Sequence, residues 1–405
     1  MVRLFNKAPR RRNTFLQRSP MPASRHKTQG WKPLRLDGTI ALISFSFVLI
    51  GLLFTYSSSA FETTQYVKRQ FVFDVMGLIA AGFLSQMYTR LQQMKIFHPM
   101  NLMYVTWVLL VIVLFTREQA NTHRWIDLGI IKIQPSEIAK VTLVIYLAHY
   151  LEQVSGKIAK NWKLLIKPFV IIGITLGLIV LEKDFGIPSL MFFVAFAMLF
   201  VAGAKFWKHL ILPLVCVSPL AVYLLLSVPY RRARLLSFLH IGNYTDNSTS
   251  YQVMQSFLAV GSGGWSGKGL GNSELKMQYL PAAHTDFIFS VMCEEVGLFV
   301  LLIVFGFAWL LVRGIMLARI AKTTFNSLVI FGLTLTLCAQ AFFNMAMAIG
   351  LAPTKGIALP FFSYGGTSVV VTLVMIGIIL NVAAVDHTQN NWTDDVTQYK
   401  NRNRL

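Results

Sequence analysis

The sequence predicts an all-α integral membrane protein of ten transmembrane helices, with both termini inside and one large extracytoplasmic loop between helices seven and eight. Three observations predict it. Of 405 residues, 55 % are hydrophobic and 13 % charged, whereas soluble domains carry about a quarter charged residues, so an ordinary soluble enzyme is excluded. Apolar runs recur at lengths approaching the roughly 20 residues that cross a bilayer. Lys and Arg are unevenly shared among the segments between those runs, which sets orientation.

The runs fall at 38–58, 71–88, 99–115, 136–152, 164–182, 187–203, 208–228, 287–312, 326–349 and 368–386. With the N-terminus inside, inner segments hold 24 Lys and Arg and outer ones 12. Five of those 12 lie in the long loop 229–286, and long loops translocate largely regardless of charge. Within that loop, Tyr251 to Val260 has helical apolar spacing and is expected as a short surface helix. The parts are therefore a basic cytoplasmic tail (1–36), a membrane domain (37–386) and a cytoplasmic C-terminal tail (387–405).

The net charge is +20, and ten of 37 basic residues lie in the first 36 positions with no acid among them. Beside a membrane body this tail reads as a flank near anionic headgroups. No nucleic-acid module accompanies it, so no nucleic-acid partner is expected. The tail lacks the cleavage site of a signal peptide. Cys216, Cys293 and Cys338 sit in apolar stretches without metal-type spacing and read as small core residues.

A charge near the middle of a membrane helix costs about 2.5–3.5 kcal/mol on insertion scales, so each needs a partner or a task. Acids in or at the outer ends of runs are Asp74, Glu137, Glu182, Asp184, Asp286, Glu294 and Glu295. The densest cluster is Ala283-His-Thr-Asp-Phe-Ile-Phe-Ser-Val-Met-Cys-Glu-Glu-Val-Gly297. On helical spacing Asp286, Ser290, Cys293 and Gly297 share a face, with Glu294 about 80° round and roughly 12 Å deeper. Asp286, at the water boundary, is placed to take a proton from a substrate hydroxyl; the plainer account is a first-turn carboxylate stabilised by the helix dipole. Glu294 and Glu295 are either functional or buried acids paired with a cation such as Lys140 or Arg124.

Two further constellations face the same side. Leu181-Glu-Lys-Asp-Phe-Gly186 puts Glu182, Lys183 and Asp184 in a tight turn, where three charges can simply be solvated. Arg124 and Trp125 precede Gln134-Pro-Ser-Glu-Ile-Ala-Lys140, with Pro135 at a first-turn position and Trp125 as an interfacial anchor. The run Gly261 to Gly271 has six glycines in eleven positions. It either offers amides to a pyrophosphate with Lys268 alongside or makes tight turns. It is not a P-loop, because Ser262 replaces the first motif glycine and Gly269 the Ser or Thr. Pro353 to Gly366 combines helix breakers with Lys355 and Tyr364, and such backbone is tolerated at membrane depth only inside protein or along a wet cavity.

In order along the chain, Gln134 to Lys140, Leu181 to Gly186, Tyr251-Gln-Val-Met-Gln-Ser256, Gly269-Leu-Gly-Asn272, Ala283 to Phe289 with Glu294-Glu295, and Ser363-Tyr-Gly-Gly366 resemble the SEDS family of bacterial cell-wall glycosyltransferases. The resemblance covers about 37–386. Leu351-Ala-Pro-Thr-Lys-Gly356 and the basic tail are more similar to its division branch than to its elongation branch. Lys183, where a neutral residue is usual, and Cys293 depart from the family pattern.

The resemblance implies polymerisation of lipid II, an undecaprenyl-pyrophosphate disaccharide-pentapeptide, at the outer face of the bacterial cytoplasmic (inner) membrane, at the division septum. It implies Asp286 as general base, with Arg124, Lys268, Lys276, Lys355, His284 and Tyr364 as substrate-binding residues. Glu182, Asp184, Glu294, Glu295, Glu137 and Lys140 support them. A divalent cation, Mg or Mn, would suit the leaving pyrophosphate, but no ligand set is readable. Implied partners are a class B penicillin-binding transpeptidase and other division proteins. Two other functions stay open: a lipid II flippase, disfavoured because polar clusters concentrate on one side, and a scaffold that activates the transpeptidase.

Overall fold

A computed structural model describes residues 34, 36–59, 65–116, 124–127, 129, 132–211, 215, 248–274, 285–353 and 356–402. The described residues are all-helical apart from one small hairpin. The helices are α1 (Gly38–Ser59), α2 (Gln65–Gln92), α3 (Pro99–Leu114), α4 (Pro135–Gln153), α5 (Ile166–Leu181), α6 (Gly186–Val201), α7 (Ser248–Ser262), α8 (Ile288–Val296), α9 (Leu301–Ile320), α10 (Thr324–Ala348) and α11 (Gly366–Arg402). Two-residue strands, β1 (Ile126–Asp127) and β2 (Lys132–Ile133), pair antiparallel between α3 and α4.

Helix starts follow local chemistry. Pro99 and Pro135 occupy first-turn positions, where the missing N–H costs nothing. The Thr323 hydroxyl caps α10 by accepting from the Asn326 amide at 3.0 Å. Among the described residues six helical segments are long and apolar enough to cross a membrane: Gly38–Ser58, Gln65–Gln92, Trp162–Leu181, Ile288–Ile320, Thr324–Ala348 and Gly366–Val385. Two shorter apolar helices are Pro99–Leu114 and Gly186–Val201. Large apolar side chains such as Leu42, Ile79, Leu302 and Phe305 are exposed on α1, α2 and α9. A multi-pass membrane protein explains that surface.

One expectation needs correction. The eighth run is not one helix, because α8 ends at Gly297, whose φ of 60° leaves the helical region, and a 3₁₀ turn leads into α9. Helix α5 ends at Leu181, so Glu182 lies in the turn that follows, as expected. Most of the seventh run, with Cys216, lies outside the described residues; a π-helical segment, Phe206–Ile211, enters it. The expected loop helix is present as α7, but it packs on α8 and α10 with Ser256 and Ala259 buried.

At the centre, α4 touches α3, α5, α6, α10 and α11, and its side chains from Pro135 to Ala148 are almost all buried. Close approach of α2 and α11 needs small residues: a Cβ on Gly377 would lie 2.6 Å from the Ala81 carbonyl oxygen. Asn381 stitches the pair, donating to the Ser85 carbonyl at 2.9 Å and accepting from the Thr89 amide at 3.0 Å. Cys293 and Cys338 are buried free thiols, as their apolar surroundings suggest.

Candidate active site

Asp286 lies in the turn 285–287 that leads into α8, not on the helix itself. Two side chains of α10, one turn apart, fix what surrounds it. Asn344 donates to the Asp286 carbonyl at 2.9 Å and to the Ile357 carbonyl at 2.7 Å. Gln340 donates to the Ala358 carbonyl at 2.8 Å and accepts from Lys140 at 2.5 Å, and Lys140 pairs with Glu137 at 2.8 Å. Ser363 donates to the Thr285 carbonyl at 2.6 Å and accepts from the Leu359 amide at 2.7 Å. Irregular backbone at 356–365 thus has its polar groups satisfied by protein, as apolar surroundings demand. Sequence reasoning missed Gln340 and Asn344; their signal was a pair of amides at i, i+4 in an apolar helix.

Arg124 and Asp286 converge at Gly356. A Cβ there would lie 3.3 Å from Asp286 Oδ2 and 3.5 Å from Arg124 Nη1. Arg124 Nε is 3.5 Å from Asp184 Oδ2, and its Nη2 donates to the Lys183 carbonyl at 3.4 Å. Asp184 Oδ1 accepts from the Gly186 amide at 2.9 Å, which holds the turn before α6. Solvation is not the explanation of these charges: Glu182 and Asp184 are 0 % and 1 % exposed, and only Lys183 faces out.

Several polar atoms here have no hydrogen-bond partner: Arg124 Nε, both Glu182 carboxyl oxygens and Asp184 Oδ2. Burial, reinforced by Asp184 and opposed by Arg124, pushes the Glu182 carboxyl up to about 9. Lys183 and Phe361 also adopt positive φ, 64° and 70°. Non-glycine residues hold that conformation at a cost of order 1–3 kcal/mol, and only where the surroundings over-determine it.

Glu294 and Glu295 pair with neither Lys140 nor Arg124. Glu294 accepts from Lys268 at 2.9 Å, Ser273 at 2.5 Å and the Glu274 amide at 3.2 Å, while Glu295 accepts from Ser57 at 2.7 Å. Lys268 also pairs with Glu274 at 3.1 Å, and the two carboxylates hold its ammonium above the usual lysine range. The glycine run packs against the end of α8. Amides of Lys268 and Gly269 donate to the Glu294 and Glu295 carbonyls at 2.9 and 3.0 Å. A Cβ on Gly263 or Gly267 would lie 2.0 or 2.1 Å from a carbonyl of that segment. These two amides and this cation are committed to protein, which is the tight-turn reading.

Tyr364 stacks edge-on against Tyr66, ring centroids 5.0 Å apart. His284, Lys276 and Lys355 lie outside the described residues. Among the described residues no three His, Cys, Asp or Glu side chains are grouped to hold a metal ion.

The FtsW/RodA/SpoVE family profile, described as cell cycle protein, matches residues 38–388. A probable peptidoglycan glycosyltransferase FtsW from Legionella pneumophila is 37 % identical over 385 residues, 91 % of this chain and 96 % of that protein. One of the same description from Coxiella burnetii is 35 % identical over 361 residues, 86 % and 96 % of the two chains. Among solved structures, a chain of a peptidoglycan synthase complex superposes with a TM-score of 0.72 at 29 % identity, covering 86 % of this chain and 98 % of its own. Thermus thermophilus rod shape determining protein RodA gives 0.65 at 27 % identity, covering 87 % and 98 %.

Proposed function

Because the chain belongs to the FtsW/RodA/SpoVE family of cell cycle proteins, we propose that it is a peptidoglycan glycosyltransferase that polymerises lipid II, with Asp286 as its general base. The carrying observation is the convergence of Asp286 and Arg124 at Gly356, with Asn344 fixing the Asp286 backbone. The Asp286 carboxylate takes the proton of an acceptor sugar hydroxyl as that oxygen bonds to the anomeric carbon of the donor. The bond from that carbon to the lipid pyrophosphate breaks on the opposite face, so an α-linked donor gives a β-linked strand. Arg124 meets the negative charge that gathers on the leaving group. A divalent Mg or Mn ion has no ligand set among the described residues.

In this reading the membrane domain 37–386 has ten spans with both termini in the cytoplasm, flanked by the tails 1–36 and 387–405. It sits in the bacterial inner membrane at the septum beside a class B penicillin-binding protein and other division proteins. What supports a synthase partner is the likeness to a chain of a peptidoglycan synthase complex. Labelled lipid II, incubated with the purified protein and a candidate transpeptidase, is expected to give glycan ladders on a gel. Asp286→Asn is expected to lower turnover by at least ~10²-fold with membrane insertion intact. Substantial polymerisation by that variant removes Asp286 from the base role. If neither protein makes ladders and wild-type vesicles translocate lipid II, the flippase function replaces this one.

A further inference from the structure

Glu182 is a buried acid that the proposed reaction does not use. It follows α5, is 0 % exposed, and both its carboxyl oxygens lack a hydrogen-bond partner. Among the described residues the charged groups that act on it are Asp184, two positions on, and Arg124, which approaches from the stretch before β1. Arg124 also reaches Asp184 and the point where Asp286 arrives. Among the described residues, then, two buried acids, Glu182 and Asp184, share the guanidinium of Arg124. With both of these acids ionised, their charge would exceed that of Arg124 and weaken its pull on a pyrophosphate. An ionised Glu182 would also be a buried, unsolvated charge, which costs far more than a neutral acid in the same place.

We propose that Glu182 is held as an un-ionised carboxylic acid, and that this neutrality leaves Arg124 an effective cation for the pyrophosphate end of the substrate. The second half rests on the glycosyltransferase reading; the first does not. Glu182 is a positioning residue in this scheme, acting through Arg124. Asp184 remains the carboxylate that orients the guanidinium, and burial with the like charge of Asp184 keeps the proton on Glu182 up to about pH 9. Above that the proton leaves, a second negative charge appears beside Arg124, and substrate binding weakens.

Infrared spectra of wild type minus Glu182→Gln test the proton directly. At pH 7 the difference is expected to contain the carbonyl stretch of a protonated carboxyl, bleaching with a midpoint near 9. Absence of that band overturns the proposal whether or not the protein polymerises lipid II. For the second half, the wild-type KM for lipid II is expected to rise about threefold or more between pH 7 and 10 while kcat changes less, and Glu182→Gln to abolish that rise. The same rise in both proteins overturns the link to Arg124. If Glu182→Gln does not insert, wild type and Asp184→Asn are titrated instead. Removing the like charge is expected to lower the midpoint, and an unmoved midpoint overturns the proposal.

Discussion

Two regions of this molecule have the same composition on paper, acids, one cation and nearby glycines, yet are built in opposite ways. Around Glu294 and Glu295 each carboxylate is matched: Lys268, Ser273 and the Glu274 amide donate to Glu294 and Ser57 to Glu295, and glycines press backbone against backbone. Around Arg124 the matching is incomplete, with Nε, Asp184 Oδ2 and both Glu182 oxygens left without hydrogen bonds. A protein interior tolerates few such atoms, because each forfeits about 1–3 kcal/mol of solvation. The satisfied region is a fastener. The unsatisfied one leaves Arg124 less committed to protein than Lys268 is, as the proposed role of its guanidinium beside a pyrophosphate requires.

Substitutions can break this contrast. The largest stability effect is expected from Glu294→Ala, which strands Ser273 and the Glu274 amide and leaves Lys268 with Glu274: a loss of about 3 kcal/mol, read as a lowered melting temperature in detergent. The protein that remains folded should polymerise at a near-normal rate; a loss of turnover without destabilisation would move Glu294 into the reacting site. Arg124→Ala is expected to do the reverse, raising the KM for lipid II about tenfold, or roughly 1.4 kcal/mol, with little change in melting. Unchanged lipid II titration would remove Arg124 from substrate contact. The smallest effect is expected from Gly356→Ala. Its methyl would sit 3.3 Å from the Asp286 carboxylate and 3.5 Å from Arg124, a tight contact that small shifts relieve, so turnover should fall only a few-fold. Wild-type turnover would show that the gap at Gly356 is not used.

Apolar run length located most helices, because membrane crossing leaves little choice of residue. The break at Gly297 was not legible: a single glycine in an apolar run is usually tolerated, and only packing against the Gly264 and Trp265 carbonyls reveals why this one bends. For the site, Asp286, Arg124, Glu182 and Asp184 could be picked out because charge is rare in such a sequence. What could not be read was partnership. Lys268 looked available for a phosphate until its two carboxylates came into view, and Gln340 and Asn344 lay unnoticed in an apolar helix. Pairings over 20 or 200 residues depend on tertiary packing, which local pattern does not encode.

The centrality of α4 has a consequence for how the protein is made. With Glu137, Lys140 and Glu152 among 19 residues, it has too little apolar surface to partition into lipid on its own. The sequence that precedes it offers a companion: α3 is 16 residues long and carries no charged residue, and it lies against α4 in the finished fold. Biogenesis therefore has to keep α4 sheltered, with Lys140 already neutralised by Glu137 one turn earlier, until α10 is synthesised nearly 200 residues later and brings Gln340 to it. The last third of the chain is thus needed to complete an insertion begun in the first.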